Sequence, residues 1–185
     1  MECHDFQREA CEGTPTPILN AACKEDPAHL GADFDAVNLD ICEYDPHTKV
    51  DMTKLPGFVH GSVFEIPFDD LHFGTVVLGE FLEHCEHEQA MYALEECTRV
   101  LKFGGNLVIT YPLDPRPPEG QHPPELLFEW CPGVTSYHQT VWPADNAKAC
   151  LEKMGFEVKA LEEIPYGPIL DYCDGVGIIA TKKMA

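Results

Sequence analysis

Residues 61–112 read GSVFEIPFDDLHFGTVVLGEFLEHCEHEQAMYALEECTRVLKFGGNLVITYP, and this stretch decides the fold. Thr75-Val-Val-Leu78 and Leu107-Val-Ile-Thr-Tyr111 are short apolar runs. Strands look like this when helices cover both faces of a parallel sheet, so that neither face needs polar residues. Between them Ala90, Met91, Leu94, Cys97 and Leu101 recur at helical spacing and predict one apolar stripe. Gly104-Gly105 offers that helix a left-handed stop. Strand, helix, glycine and strand together make one right-handed crossover. Loops at the carboxyl ends of such strands hold the ligand, which directs attention to Gly79-Glu80 and to the chain beyond Pro112.

Working outward, Ile18–Cys23 and Ala36–Ile41 predict the first two buried strands, and Phe58–His60 a weak third. The Pro27–Gly31 segment leaves room for roughly one or two helical turns, short for a crossover. Downstream, Pro143 opens a helix with Ala147, Cys150, Leu151 and Met154 on one face, closed by Gly155. Phe156–Ile164 and Val176–Thr181 then read as the last two strands. Residues 1–17 are polar, carry Pro15 and Pro17, and predict an arm or short cap ahead of one domain spanning 18–185. Half of the sixteen prolines lie between Pro112 and Pro143. Residues 113–141 are therefore expected to form an insertion over the substrate side.

With 185 residues and a 44% hydrophobic share, one domain with a full core is expected. Thirty-two acidic against twelve basic side chains give a formal charge of −20, which repels phosphate backbones and disfavours nucleic-acid substrates. Nine cysteines, an odd number without any CxxC pair, read as reduced thiols of a cytoplasmic protein. Met1–Ala10 has no apolar run behind it, so no secretory signal is expected, and no apolar stretch approaches a membrane span. The oligomeric state is left open.

EIPFDDLHFGTVVLGEFLEH and RVLKFGGNLVITYP resemble the class I S-adenosylmethionine-dependent methyltransferases of the small single-domain type. HQTVWPADNAKACLEKMGFEV is similar to the run into that family's sixth strand. The resemblance implies a Rossmann-like α/β fold in three layers. Its seven-stranded mixed sheet would have the order 3-2-1-4-5-7-6, with strand 7 antiparallel. It also implies S-adenosylmethionine as cofactor, lying over the carboxyl ends of strands 1, 2 and 4; no metal and a small-molecule acceptor are expected beside it. Asn20, Ala21, Ala22 and Cys23 match the turn along the donor's amino-acid portion. Asp40 matches the acid that grips both ribose hydroxyls, a task suited to a carboxylate because it accepts two hydrogen bonds side by side. Ile41 follows it, Ser62 and Val63 match the adenine side, and Leu78, Gly79 and Glu80 lie beside the sulfonium.

The family's glycine-rich turn is Ala22-Cys23-Lys24 here. Lysine in a left-handed position costs about 1 kcal/mol or more, so a remodelled turn with Lys24 swung outward is expected. Candidate substrate residues are Asp114, Arg116, His122, Gln139, Trp142 and Tyr166, with His138 as general base because imidazole titrates near neutrality. Glu80 is the second catalytic candidate. Glu83-His84-Cys85-Glu86-His87 holds metal-ligand types, but consecutive helical residues face different ways and no matching partner lies nearby in sequence. It reads as a solvated helix start. A donor-binding protein without turnover, or an enzyme that cleaves the donor, are the alternatives to methyl transfer.

Overall fold

The fold comes from a computed structural model describing residues 3–24, 26–45, 49–113, 129–131, 134–135, 138–165 and 174–184. Seven strands form the main sheet: β1 (Ile18–Ala21), β2 (Val37–Asp40), β3 (Phe58–His60), β4 (Phe73–Gly79), β5 (Leu101–Pro112), β6 (Phe156–Pro165) and β7 (Asp174–Lys182). Their order is 3-2-1-4-5-7-6, as expected. β1 pairs in parallel with β2 and β4, as do β2 with β3 and β4 with β5. β7 runs antiparallel to β5 and β6, with Ile178 opposite Ile109. Tyr44–Asp45 with Val50–Asp51, and Glu129–Cys131 with Val134–Thr135, make two small separate hairpins.

The apolar runs work as their composition demands. Val76 and Leu78 point into one layer and Val77 into the other, all fully buried. One layer holds α3 (His87–Val100) and α4 (Ala144–Lys153), with Ala90, Ala93, Leu94, Cys97, Ala147 and Leu151 against the sheet. The other holds α1 (Cys3–Cys11) and the four-residue α2 (Leu30–Asp33). The expected short helix after β1 is thus confirmed. Met91 is only half-buried, and Val100 takes the inward place at the helix end.

Two local expectations change. Leu101 already belongs to β5, and α3 ends four residues before Gly104. Gly104, at φ 74°, lies within β5, where pairing with β4 slips between Phe73 and Thr75, so it serves an irregularity in the strand rather than a helix stop. The polar amino-terminal segment is the ordered helix α1, with Cys3, Phe6, Gln7, Ala10 and Cys11 buried. Its fit depends on two glycines across the sheet. A Cβ at Gly177 would come within 2.7 Å of the Phe6 ring, and one at Gly79 would collide with the Gln7 amide. Gln7 Nε2 donates instead to Thr110 Oγ1 at 2.7 Å.

Arg99, near the end of α3, fixes the loop that delivers β4. Its guanidinium donates to the Ile66 and Phe68 carbonyls at 2.9 Å each, and to Asp70 and Glu96. Glu96 in turn accepts from the Ile66 N–H at 2.8 Å. The two halves of the sequence signature are therefore one bonded unit.

Candidate active site at the carboxyl edge of the sheet

The order 3-2-1-4 reverses chain direction at β1, and the crevice past the carboxyl ends of β1, β2 and β4 is where such sheets bind ligands. Asp40 ends β2 there with 9% exposure. Its Oδ2 accepts from the Lys24 N–H and its Oδ1 from the Cys42 N–H, both at 2.9 Å. Burial raises the Asp40 pKa, opposed by these backbone donors and by the Lys24 charge. Each carboxylate oxygen accepts one backbone bond here and has capacity for another. Ile41 beside it is 42% exposed, an apolar surface offered to the crevice.

The turn after β1 keeps left-handed geometry without glycine: φ is 53° at Ala22, 44° at Lys24 and 54° at Asp26. The Lys24 side chain is exposed, yet its charge acts on Asp40 and Glu83, and its backbone stays in the left-handed region, so the turn is not remodelled as expected. Asp26 explains how the turn is held. Its carboxylate accepts from the Leu30 and Gly31 N–H groups at the start of α2, and from Asn20 and Asn38. Asn20 donates to Asp26 at 3.0 Å and to Asn38 at 2.9 Å, which commits its amide to this buried network. Ala21 and Leu78 are fully buried in the floor, Cys23 is buried, and Ala22 is half-buried. Ser62 Oγ accepts from the Phe64 N–H, and Val63 packs into the core beneath. Gly79 makes room for Gln7, as described above.

At the end of β4, Glu80 has φ 53°, and its N–H donates to the Thr110 carbonyl at 2.8 Å. Ala22, Lys24, Asp26 and Glu80 are half of the eight non-glycine residues with positive φ among the described residues. Backbone strain concentrates on this edge, as it does at ligand sites.

Of the stretch expected to be a solvated helix start, only Glu86 and His87 are exposed at one. Leu82–His84 is a buried 3₁₀ turn, with Glu83 at 1% exposure, and α3 begins only at His87. Segment 138–142 is stapled to it. The Gln139 N–H donates to the Glu83 carbonyl at 2.7 Å and the Gln139 side chain to the His84 carbonyl at 2.6 Å. Thr140 Oγ1 donates to the carbonyls of Leu82 and Cys85 and accepts from the Trp142 indole. Trp142 is 6% exposed and belongs to the core, its ring 5.0 Å from that of His87. The staple brings the His138 ring to 4.7 Å from that of His84.

Among the described residues, none donates a hydrogen bond to either carboxylate oxygen of Glu83 beyond its own backbone. Burial, then the Glu80 charge, holds its pKa well above the ordinary range. Tyr111, near the end of β5, is buried with no partner for its hydroxyl among the described residues, and burial together with the Glu83 charge raises its pKa. Sequence reasoning missed Glu83, His84 and Tyr111 as site residues. The Glu80-x-x-Glu83-His84 spacing was the signal for the first two, since a single tight turn brings its first and last residues to one side. Asp114, Arg116, His122 and Tyr166 lie outside the described residues.

No curated protein sequence matches the chain. Solved structures do. A Burkholderia thailandensis 1,6-didemethyltoxoflavin-N1-methyltransferase, solved with 1,6-didemethyltoxoflavin and S-adenosylhomocysteine, has a TM-score of 0.69 at 14% identity, over 98% of this chain and 80% of that one. A putative methyltransferase in complex with the Haloferax volcanii Trm112 activator reaches 0.63 at 17%, over 98% and 90%. The [4+2]-cyclase SpnF reaches 0.64 at 17%, over 98% and 81%. At these identities the likeness shows the fold. The methyltransferase-domain family profile matches residues 10–109, more than half of the chain. With that match and the sheet order it accompanies, the chain belongs to the class I S-adenosylmethionine-dependent methyltransferases.

Proposed function

We propose that the protein binds S-adenosylmethionine across the carboxyl ends of β1, β2 and β4 and transfers its methyl group to a small-molecule acceptor. One observation carries the reading: Asp40 is locked to the turn after β1 at the sheet's switch point, with capacity left on both oxygens. Those oxygens would take the two ribose hydroxyls. Ile41, with Ser62 and Val63 opposite, would flank the adenine, while Ala22 and Cys23 follow the amino-acid portion above the Asn20-Ala21 floor. Leu78, Gly79 and Glu80 would border the sulfonium.

The donor supplies an electrophilic methyl group; the chain's work is to align an acceptor against it and exclude water. His138 and Glu80 stand on the acceptor side of that edge. The charge of −20 disfavours a nucleic-acid acceptor. The Burkholderia neighbour acts on a small heterocycle, which supports the same class here.

Donor binding without transfer is the second reading. The positively charged Lys24 on a turn without glycine favours it, since the donor is itself cationic. Incubation with tritiated-methyl donor and a panel of hydroxyl, amine and thiol acceptors, beside calorimetry with S-adenosylhomocysteine, tests both. Label in a small product supports transfer. Tight S-adenosylhomocysteine binding with the label retained on the donor moves the protein to the second reading.

A further inference from the structure

Glu83, His84 and His138 each offer a ligand atom, all within 4.8 Å of one another. Two come from the 3₁₀ turn after β4, and the third arrives from 54 positions further along the chain through the Gln139 staple. Nε2 of His84 lies 4.0 Å from Oε1 of Glu83, close enough to share an ion and too far for a hydrogen bond. Glu83 is the informative member. A carboxylate removed from water without donors costs several kcal/mol unless it takes up a proton or a bound cation supplies the positive charge. Tyr111 feels the Glu83 charge, yet neither group hydrogen-bonds the other. Glu80, on the same loop, adds a second negative charge toward Glu83, and the charge of the exposed Lys24 opposes it only in part.

Two imidazoles and a carboxylate gathered together, Glu83 and His84 buried and His138 partly so, suit a metal. Imidazole with carboxylate is a donor set for borderline divalent ions such as Mn²⁺, Fe²⁺, Co²⁺ and Zn²⁺. We infer that Glu83, His84 and His138, with Glu80 at the rim, form a divalent-cation site at the acceptor side of the active site, whose open positions take a hydroxyl acceptor bearing a neighbouring oxygen. Three protein ligands leave positions free, and an acceptor that chelates through two oxygens is fixed in orientation as well as place. Transfer then forms the acceptor's O–CH₃ bond as the donor's S–CH₃ bond breaks, with the electron pair staying on sulfur and the hydroxyl proton leaving to solvent. The acceptor class rests on the methyltransferase reading; the cation site does not. In this role His138 is a ligand rather than the base expected from sequence.

The test is direct metal binding by the full chain after chelator treatment, with MnCl₂, CoCl₂ and ZnCl₂ titrated separately by calorimetry, and Mn²⁺ read by electron paramagnetic resonance. The expected result is one ion per chain, with nitrogen coupling to Mn²⁺. Affinity should fall tenfold or more in the near-isosteric Glu83→Gln and in His138→Ala, each with a wild-type circular dichroism spectrum, and be unchanged in Glu96→Gln. Should Glu83→Gln fail to fold, His138→Ala at the edge of the cluster carries the comparison alone. No binding of any of the three ions at millimolar concentration, or wild-type affinity in folded His138→Ala, overturns the site. S-adenosylhomocysteine titrated into the same metal-free protein separates the two readings. Its binding without metal binding removes this site and leaves the methyltransferase reading standing; metal binding without it keeps the site and removes the acceptor assignment.

Discussion

The backbone N–H of Lys24 donates to Oδ2 of Asp40 at 2.9 Å, joining the turn after β1 to the end of β2. The acid that would hold the donor also shapes the loop the donor lies against. Asp40→Ala should therefore weaken S-adenosylhomocysteine binding by about 1.5–3 kcal/mol, the range for hydrogen bonds to a charged group. Unchanged calorimetric affinity in a folded variant would remove Asp40 from the site.

Lys24→Gly tests the left-handed turn. Releasing a lysine at φ 44° recovers about 1 kcal/mol of strain. Glycine's extra freedom in the unfolded chain costs roughly 0.5–1 kcal/mol in return. Chemical denaturation should show a net change within about 0.5 kcal/mol, and donor affinity should shift by less than about 1 kcal/mol. A tenfold tightening of donor binding, about 1.4 kcal/mol, would show that Lys24 obstructs the donor and would favour binding without transfer.

Gly79→Ala drives a methyl group into the Gln7 amide and threatens its bond to Thr110. A loss of about 1–3 kcal/mol is expected from overpacking. Gln7→Ala vacates the same space, so the double variant should be more stable than the sum of the two single losses allows. Strict additivity in a double-mutant cycle would mean that the helix α1 and the end of β4 are not coupled.

Glu96 gives the pH prediction. Its hydrogen bond with Arg99 lowers its pKa below the ordinary 4.5. The unfolded chain then binds the proton more readily, so the contribution to stability is fully present above 4.5 and is lost as pH falls through the lower folded value. The stability difference between wild type and Glu96→Gln should be constant near neutrality and shrink in that acid window. A difference independent of pH would show that the Arg99 pairing does not set the Glu96 titration.

The sequence by itself determined the sheet. Thr75–Leu78 and Leu107–Tyr111 are apolar on consecutive residues, and only strands buried on both faces tolerate that. The place of Asp40 at the end of a buried strand was legible because it is a local fact. The helix α1 left a local signal too, in the spacing of Cys3, Phe6 and Ala10, but polar neighbours hide so short a stripe until Gly79 and Gly177 open room for it. Gly104 misled because a left-handed glycine serves a strand irregularity as well as a helix stop. Glu83 and His84 left a local signal in their spacing, but the meeting of that pair with His138 belongs to the tertiary structure alone. Its geometry depends on a tight turn in place of a helix start, and on a glutamine that bonds two backbone carbonyls 55 residues or more away in sequence. Neither leaves a periodicity to read, because main-chain carbonyls are the same at every residue, and which of them a side chain finds is fixed only when the segments pack.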